Sequence, residues 1–208
     1  MKLNFDARGY AFEAGSEVLR QGYASASKAL TADIERVRAA HAAYDASPEF
    51  IGERDDEGNI LWEQGAILTL EQETVEEALE ALRNAFVLAL YHHWERAIRA
   101  YTGSDQNAKY RQLVARAERK GIPAVPDMAK VYRLANTLKH NSGHHGAVLF
   151  ELWRDLFGPF FSARPDSDWY RAISLSDDDI HEVMRIIGAA GPKVWPYGKP
   201  FPLSVSES

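Results

Sequence analysis

Val75, Leu79, Leu82, Phe86 and Ala89 recur at spacings of four, three, four and three residues. That period keeps one apolar stripe on one side of an α-helix and excludes the strict alternation of a half-buried strand. Thr69-Leu70-Glu71-Gln72 has capping-box spacing and sets the start of this helix; Gly103 sets its end, near Tyr101. Upstream, Tyr10 to Ala46 is rich in Ala, Glu, Arg and Leu, with Leu19, Tyr23, Leu30, Ile34 and Val37 close to one stripe. Gly15 and Gly22 interrupt it, so residues 1–47 read as one helix or more. Ser47-Pro48 is a stop, and 49–60 reads as a loop. Ile60-Leu61-Trp62 and Ala66-Ile67-Leu68 are spaced for a short β-hairpin.

Further helices follow over 107–120, closed by Gly121 and Pro123, and from Pro126-Asp127 to Asn141-Ser142-Gly143. Val148–Phe157 is a short apolar segment. Ser176 with three aspartates caps a last helix carrying Ile180, Val183, Met184 and Ile187. After Gly191, four prolines mark an extended tail over 191–208. The expected fold is all-α: a single-domain helical bundle over 1–208 with about five main helices. Its core falls at about 70–190, with a short β-hairpin as an addition.

The chain has 30 acidic and 24 basic residues, net -6, which taken alone argues against a nucleic-acid partner. Position changes that inference. Residues 45–80 hold 12 acidic residues and one basic, net -11, whereas residues 81–154 hold 12 basic and 5 acidic, net +7. The acidic run can cover a solvated face, or dock on a basic surface of a partner or of this chain's own basic half. With no cysteine, a disulfide scaffold and a thiol nucleophile are excluded. The amino terminus lacks the apolar run of a signal peptide, and no stretch nears the roughly 20 apolar residues of a membrane span. A soluble, cytoplasmic protein with no membrane partner is the expectation.

Chemistry concentrates in Arg133-Leu134-Ala135-Asn136-Thr137-Leu138-Lys139-His140-Asn141. At about 100° per residue, Arg133, Asn136 and His140 share one face, while Val131, Leu134 and Leu138 form an opposite, core-directed stripe. A fixed cation, an amide and an imidazole suit phosphoryl chemistry without a metal. The imidazole moves a proton, the guanidinium stabilises charge on phosphate oxygens, and the amide orients groups. The competing account is an ordinary polar helix surface.

A bundle whose late helix carries Arg, six residues, then His, ending Leu138-Lys139-His140-Asn141, resembles the HEPN superfamily over about residues 70–190. The resemblance implies a helical bundle that dimerises and unites two Arg/His sets. It also implies a metal-independent endoribonuclease, a toxin or antiviral effector, often paired with a nucleotidyltransferase or antitoxin. Active members often carry a polar residue after the Arg; here it is Leu134, with Asn136 standing further along. By this resemblance His140 is the acid or base and Arg133 stabilises the charged phosphorane. Asn136 and Glu95 support them, and Lys139, Asn141, Arg96 and Lys130 contact the RNA. No cofactor and no metal are expected. The alternative is a non-catalytic interaction module in a defence or toxin–antitoxin complex.

Glu95 belongs to a second polar cluster, Tyr91-His92-His93-Trp94-Glu95-Arg96, and is placed to orient His140 or pair with Arg133 if the two helices face each other; pairing within its own helix is the simpler account. His92, His93, His140, His144 and His145 also offer metal ligands. Without a metalloenzyme motif, and with Gly143 breaking the helix ahead of His144, they read as rim histidines. Trp153, Trp169 and Tyr170 read as core or dimer-contact residues.

Overall fold

A computed structural model describes residues 5–47, 49–164 and 166–195. Among them lie seven α-helices and one two-stranded antiparallel sheet, an all-α protein with a short hairpin. The helices are α1 (Ala7–Asp45), α2 (Gln64–Thr102), α3 (Tyr110–Arg119), α4 (Met128–His140), α5 (Gly143–Leu152), α6 (Trp169–Ala172) and α7 (Asp177–Ala189); β1 (Gly52–Arg54) and β2 (Ile60–Glu63) lie between α1 and α2. The chain divides into two compact units, residues 21–85 and residues 1–20 with 86–208. No helix among the described residues is long and apolar enough to cross a membrane.

The unit 21–85 holds the second part of α1, the hairpin and the first part of α2. Tyr23, Ile34, Val37, Leu68 and Leu79 are buried in it. Its polar ties join the two helices: Arg36 to Glu71 at 3.1 Å, Arg38 to Glu76 at 2.6 Å, and His41 Nε2 to Thr69 Oγ1 at 3.1 Å. The hairpin pairs Gly52 with Glu63 and Glu53 with Trp62. β2 therefore pairs with a segment before it, where the sequence pattern points to one after it, and Ala66–Leu68 belongs to α2 instead. The cause is the turn between the strands. Asp55 Oδ1 accepts the backbone N–H of Glu57 at 3.0 Å and of Asn59 at 2.8 Å, and Gly58 takes a φ of +89°. An Asp with a left-handed glycine three residues on is strong turn chemistry. α2 consequently starts at Gln64, ahead of the capping-box spacing, and Thr69 donates its hydroxyl back to Gly65 O inside the helix. The acidic run 45–80 lies wholly in this unit.

In the other unit the core is Phe12, Phe86, Val87, Leu90, Trp94, Ile98, Leu113, Met128, Val131, Leu134, Leu138, Leu149, Trp169, Ile180, Val183 and Ile187, all buried. The apolar stripe of α4 is thus the inward one. α1 is continuous through Gly15, whose missing side chain admits the His93 ring of α2. The His93 ring stacks on Phe12 at 5.1 Å, and its Nε2 lies 2.9 Å from Phe12 O. α7 starts where the sequence places it: Ser176 Oγ accepts the N–H of Asp179 at 3.2 Å. Of the tail, residues 196–208 lie outside the described residues; just before them, Val194 O accepts the N–H of Asp6 at 2.9 Å.

α4 and α5 are joined by Asn141, which takes a left-handed φ of 46° and donates its N–H to Thr137 O at 2.8 Å. Asn tolerates this conformation better than any residue but Gly, and so ends α4. Gly143 does not break the chain's helicity here. It opens α5, so His144 and His145 sit in a helical first turn.

Within α5, Gly146 faces Trp169, and a Cβ at that position would overlap the indole ring. Alanine is the better helix former by about 1 kcal/mol, but Trp169 is 2% exposed and has no room to retreat. Overpacking at a full site costs about 1–3 kcal/mol, which outweighs the propensity gain. Gly146→Ala is therefore expected to lower the denaturation midpoint in urea. A midpoint equal to or above that of the wild type removes the close α5–α6 approach from the account.

Candidate active site

α4 presents two neighbouring polar sectors. Taking Tyr132 as origin, the helix places Asn136 about 40° to one side and Lys139 about 20° to the other, with His140 at about 80° and Arg133 at about 100°. Ala135 lies on the side of Lys139. Val131, Leu134 and Leu138 complete the circumference and are buried.

The Arg133 sector meets α5. Arg133 Nη1 lies 3.1 Å from His145 Nδ1 and 3.3 Å from His144 Nε2. A guanidinium only donates, so the two facing imidazole nitrogens accept. Burial pushes the His145 pKa below its ordinary value; the charges of Arg133, His144 and His140 push it further the same way. His140 is exposed at the end of α4. The Arg133 guanidinium also lies 5.4 Å from the Tyr132 ring centroid, and the His145 ring meets Tyr132 edge-on at 5.4 Å. The face thus brings together one permanent cation and three imidazoles.

The Tyr132 sector lines a cleft of about 300 Å³ between α4, the end of α2 and the start of α3. Tyr132 stacks on Tyr110 at 4.2 Å and 8°. Burial pushes the Tyr110 hydroxyl up to about 12 and the Tyr91 hydroxyl far above its ordinary value, so both stay protonated. Asn136 and Lys139 reach the cleft from α4, Glu95 and Arg99 from α2, and Lys109 from the turn before α3. The Glu95 carboxylate accepts from Arg99 Nη2 at 3.0 Å and lies 3.5 Å from His92 Nδ1. Asn136 Nδ2 donates one hydrogen to Tyr132 O at 2.8 Å, which leaves its Oδ1 and its second N–H for other partners.

The expected site residues divide accordingly. Arg133 and His140 stand in the imidazole sector. Asn136 and Lys139 line the cleft with Glu95, whose carboxylate is held by residues four ahead and three behind on its own helix rather than by His140 or Arg133. Asn141 has a structural use: its side chain donates to Asp168 Oδ1 at 3.1 Å and accepts the Tyr170 N–H at 3.0 Å, tying the end of α4 to α6. Lys130 pairs with Asp127 at 2.9 Å in the first turn of α4. Arg96 is exposed on α2, away from the cleft lining. Trp169 is a core residue, and Tyr170 beside it is partly exposed.

Sequence reasoning puts His144 and His145 on a rim and passes over Tyr132 and Tyr110. Ser142 was the available signal for the histidines, since a Ser before a Gly-His-His run is an N-cap residue type. Among the described residues, no group of three or more His, Asp or Glu side chains is placed to hold a metal ion. Compared with family models, curated proteins and solved structures, the chain finds no match.

Proposed function

We propose that this is a HEPN-type, metal-independent endoribonuclease acting in the cytoplasm as a homodimer, a toxin or antiviral effector with an antitoxin or nucleotidyltransferase partner. The observation that carries the proposal is Arg133 within hydrogen-bonding distance of His144 and His145 on the face that also holds His140. A guanidinium and several imidazoles are the full set of groups that cleavage by an internal hydroxyl requires.

At rest, Arg133 occupies the lone pair of His145 Nδ1. A phosphodiester is a stronger acceptor for a guanidinium than a neutral imidazole is, so bound RNA draws Arg133 to the phosphate and frees His145. His145 then takes the proton of the 2′-hydroxyl as the 2′-oxygen bonds to phosphorus. The bond to the 5′-oxygen breaks, and His140, as the acid, supplies that leaving oxygen with a proton. The products are a 2′,3′-cyclic phosphate and a 5′-hydroxyl. Leu134, being buried, takes no part.

The test is incubation of varied RNAs in excess chelator with the wild type, Arg133→Ala and His140→Ala. The expected result is cleavage with cyclic phosphate ends by the wild type, lowered about 10²-fold or more in each variant. Equal cleavage by all three proteins, or none by the wild type, rejects the proposal.

A non-catalytic interaction module is favoured by a different observation. Phe50, Ile51, Leu61 and Trp62 are exposed in the acidic unit 21–85, the kind of apolar surface that marks a protein contact. On that reading the wild type leaves every RNA intact.

A further inference from the structure

We propose that the cleft between α2, α3 and α4 is a guanine-binding subsite that places one nucleotide of the RNA beside Arg133. The proposal rests on the ribonuclease reading for its substrate, but the cleft's own chemistry selects the base. Three groups define it. Glu95 presents a carboxylate that only accepts. The Arg99 guanidinium beside it only donates, and its buried Nε–H has no partner in the protein. Asn136, whose amide donates one of its two N–H groups to Tyr132 O, offers its Oδ1 as a further acceptor.

A donor next to two acceptor sites matches one Watson–Crick edge. Guanine presents an acceptor, O6, beside two donors, N1–H and the N2 amino group. Uracil alternates acceptor, donor, acceptor. Adenine and cytosine lead with a donor, which would meet the Arg99 cation. Recognition of an unstacked base by its edge is the usual way single-stranded RNA is read. The cleft volume of about 300 Å³ is at the small end of ligand pockets, enough for one nucleotide. Lys109 and Lys139 at its margin are placed for the phosphate.

Position links the cleft to the imidazoles. Tyr132 is a shared wall: it lines the cleft, and the Arg133 guanidinium and the His145 ring lie against it. Asn136, about 40° round α4 from Tyr132 and about 60° from Arg133, bridges the two sectors. A strand crossing α4 therefore sets a base in the cleft and an adjacent phosphate at Arg133.

The experiment is calorimetric titration of the full-length protein with guanosine, adenosine and uridine 3′-monophosphates, where no bond is cleaved. Guanosine monophosphate is expected to bind at least about tenfold tighter than the other two, since a site built to hydrogen-bond a group rejects analogues lacking it. Glu95→Gln should abolish that preference, with circular dichroism reporting its fold. Lys139→Ala should weaken all three ligands alike, and Arg133→Ala should leave the preference in place. Equal binding of the three nucleotides, or a preference unchanged in Glu95→Gln, overturns the proposal. The outcomes separate the two readings. Cleavage without guanosine preference removes the subsite alone, and guanosine preference without cleavage removes the ribonuclease alone.

Discussion

Replacing His145 by alanine is expected to lower RNA cleavage by about 10²–10⁴-fold, the usual contribution of a positioned proton acceptor. Helix content should stay unchanged. The ring is half-buried against Tyr132, and its Nδ1 is held by Arg133 at 3.1 Å. The pH profile carries the same claim with a definite sign. A base works only unprotonated. Burial, with the charges of Arg133, His144 and His140, disfavours the imidazolium, so the pKa lies below the ordinary value of 6.5. The acidic limb of the rate must then lie below 6.5, and activity persists on mild acidification where an unperturbed histidine would already be protonated. His144→Ala tests the assignment between the two neighbours, because His144 is exposed and sits farther from Arg133, at 3.3 Å. It should cost much less than His145→Ala. A His145→Ala rate within about threefold of the wild type, when a lost proton acceptor costs about 10²-fold or more, would falsify the assignment and return the base role to His140.

How far the sequence reached depends on which forces were local. The inward stripe of α4 was legible because Val131, Leu134 and Leu138 follow the helical period, and a period needs no partner to be read. The cap of α7 was legible for the same reason: Ser176 and Asp179 satisfy each other within one turn. The hairpin register was not. It turns on Asp55 folding back on Asn59, a local preference that the stronger apolar pattern at Ala66–Leu68 concealed. At the site, Arg133 and His140 were legible as a spacing. What surrounds Arg133 was not, because the restart of the helix at Gly143 brings His145 back to α4 across a left-handed Asn141. Glu95 shows the converse. A carboxylate with a histidine three residues behind and an arginine four residues ahead has near partners on its own helix, and it takes them.

Trp94→Ala is expected to lower the stability of the unit that holds the site by several kcal/mol, on the order of 3–5. Trp94 is 1% exposed, and its Nε1 donates to Ala190 O, past the end of α7, at 2.9 Å. Truncating a buried Trp costs about 3–5 kcal/mol through lost burial and the cavity left behind. The orphaned carbonyl lies in the same range of consequence, about 1–3 kcal/mol when a buried acceptor loses its partner. For a chain of this length, each kcal/mol lowers Tm by about 2–4 °C, so a drop of at least about 6 °C is expected in a thermal melt followed by circular dichroism. Trp94→Phe divides the two contributions: it keeps most of the apolar volume and loses only the hydrogen bond, so its drop should be the smaller. The change also reaches the cleft. Tyr91 and Tyr110 both pack against the Trp94 ring, at 5.8 and 6.1 Å, and both line the cavity. Loss of the indole frees these rings to shift, so Trp94→Ala should weaken guanosine monophosphate binding even well below its own melting temperature, and Trp94→Phe should largely restore it. A Trp94→Ala protein that melts within about 2 °C of the wild type, less than 1 kcal/mol of burial would account for, means that this ring is not the anchor between α2, α7 and the cleft wall.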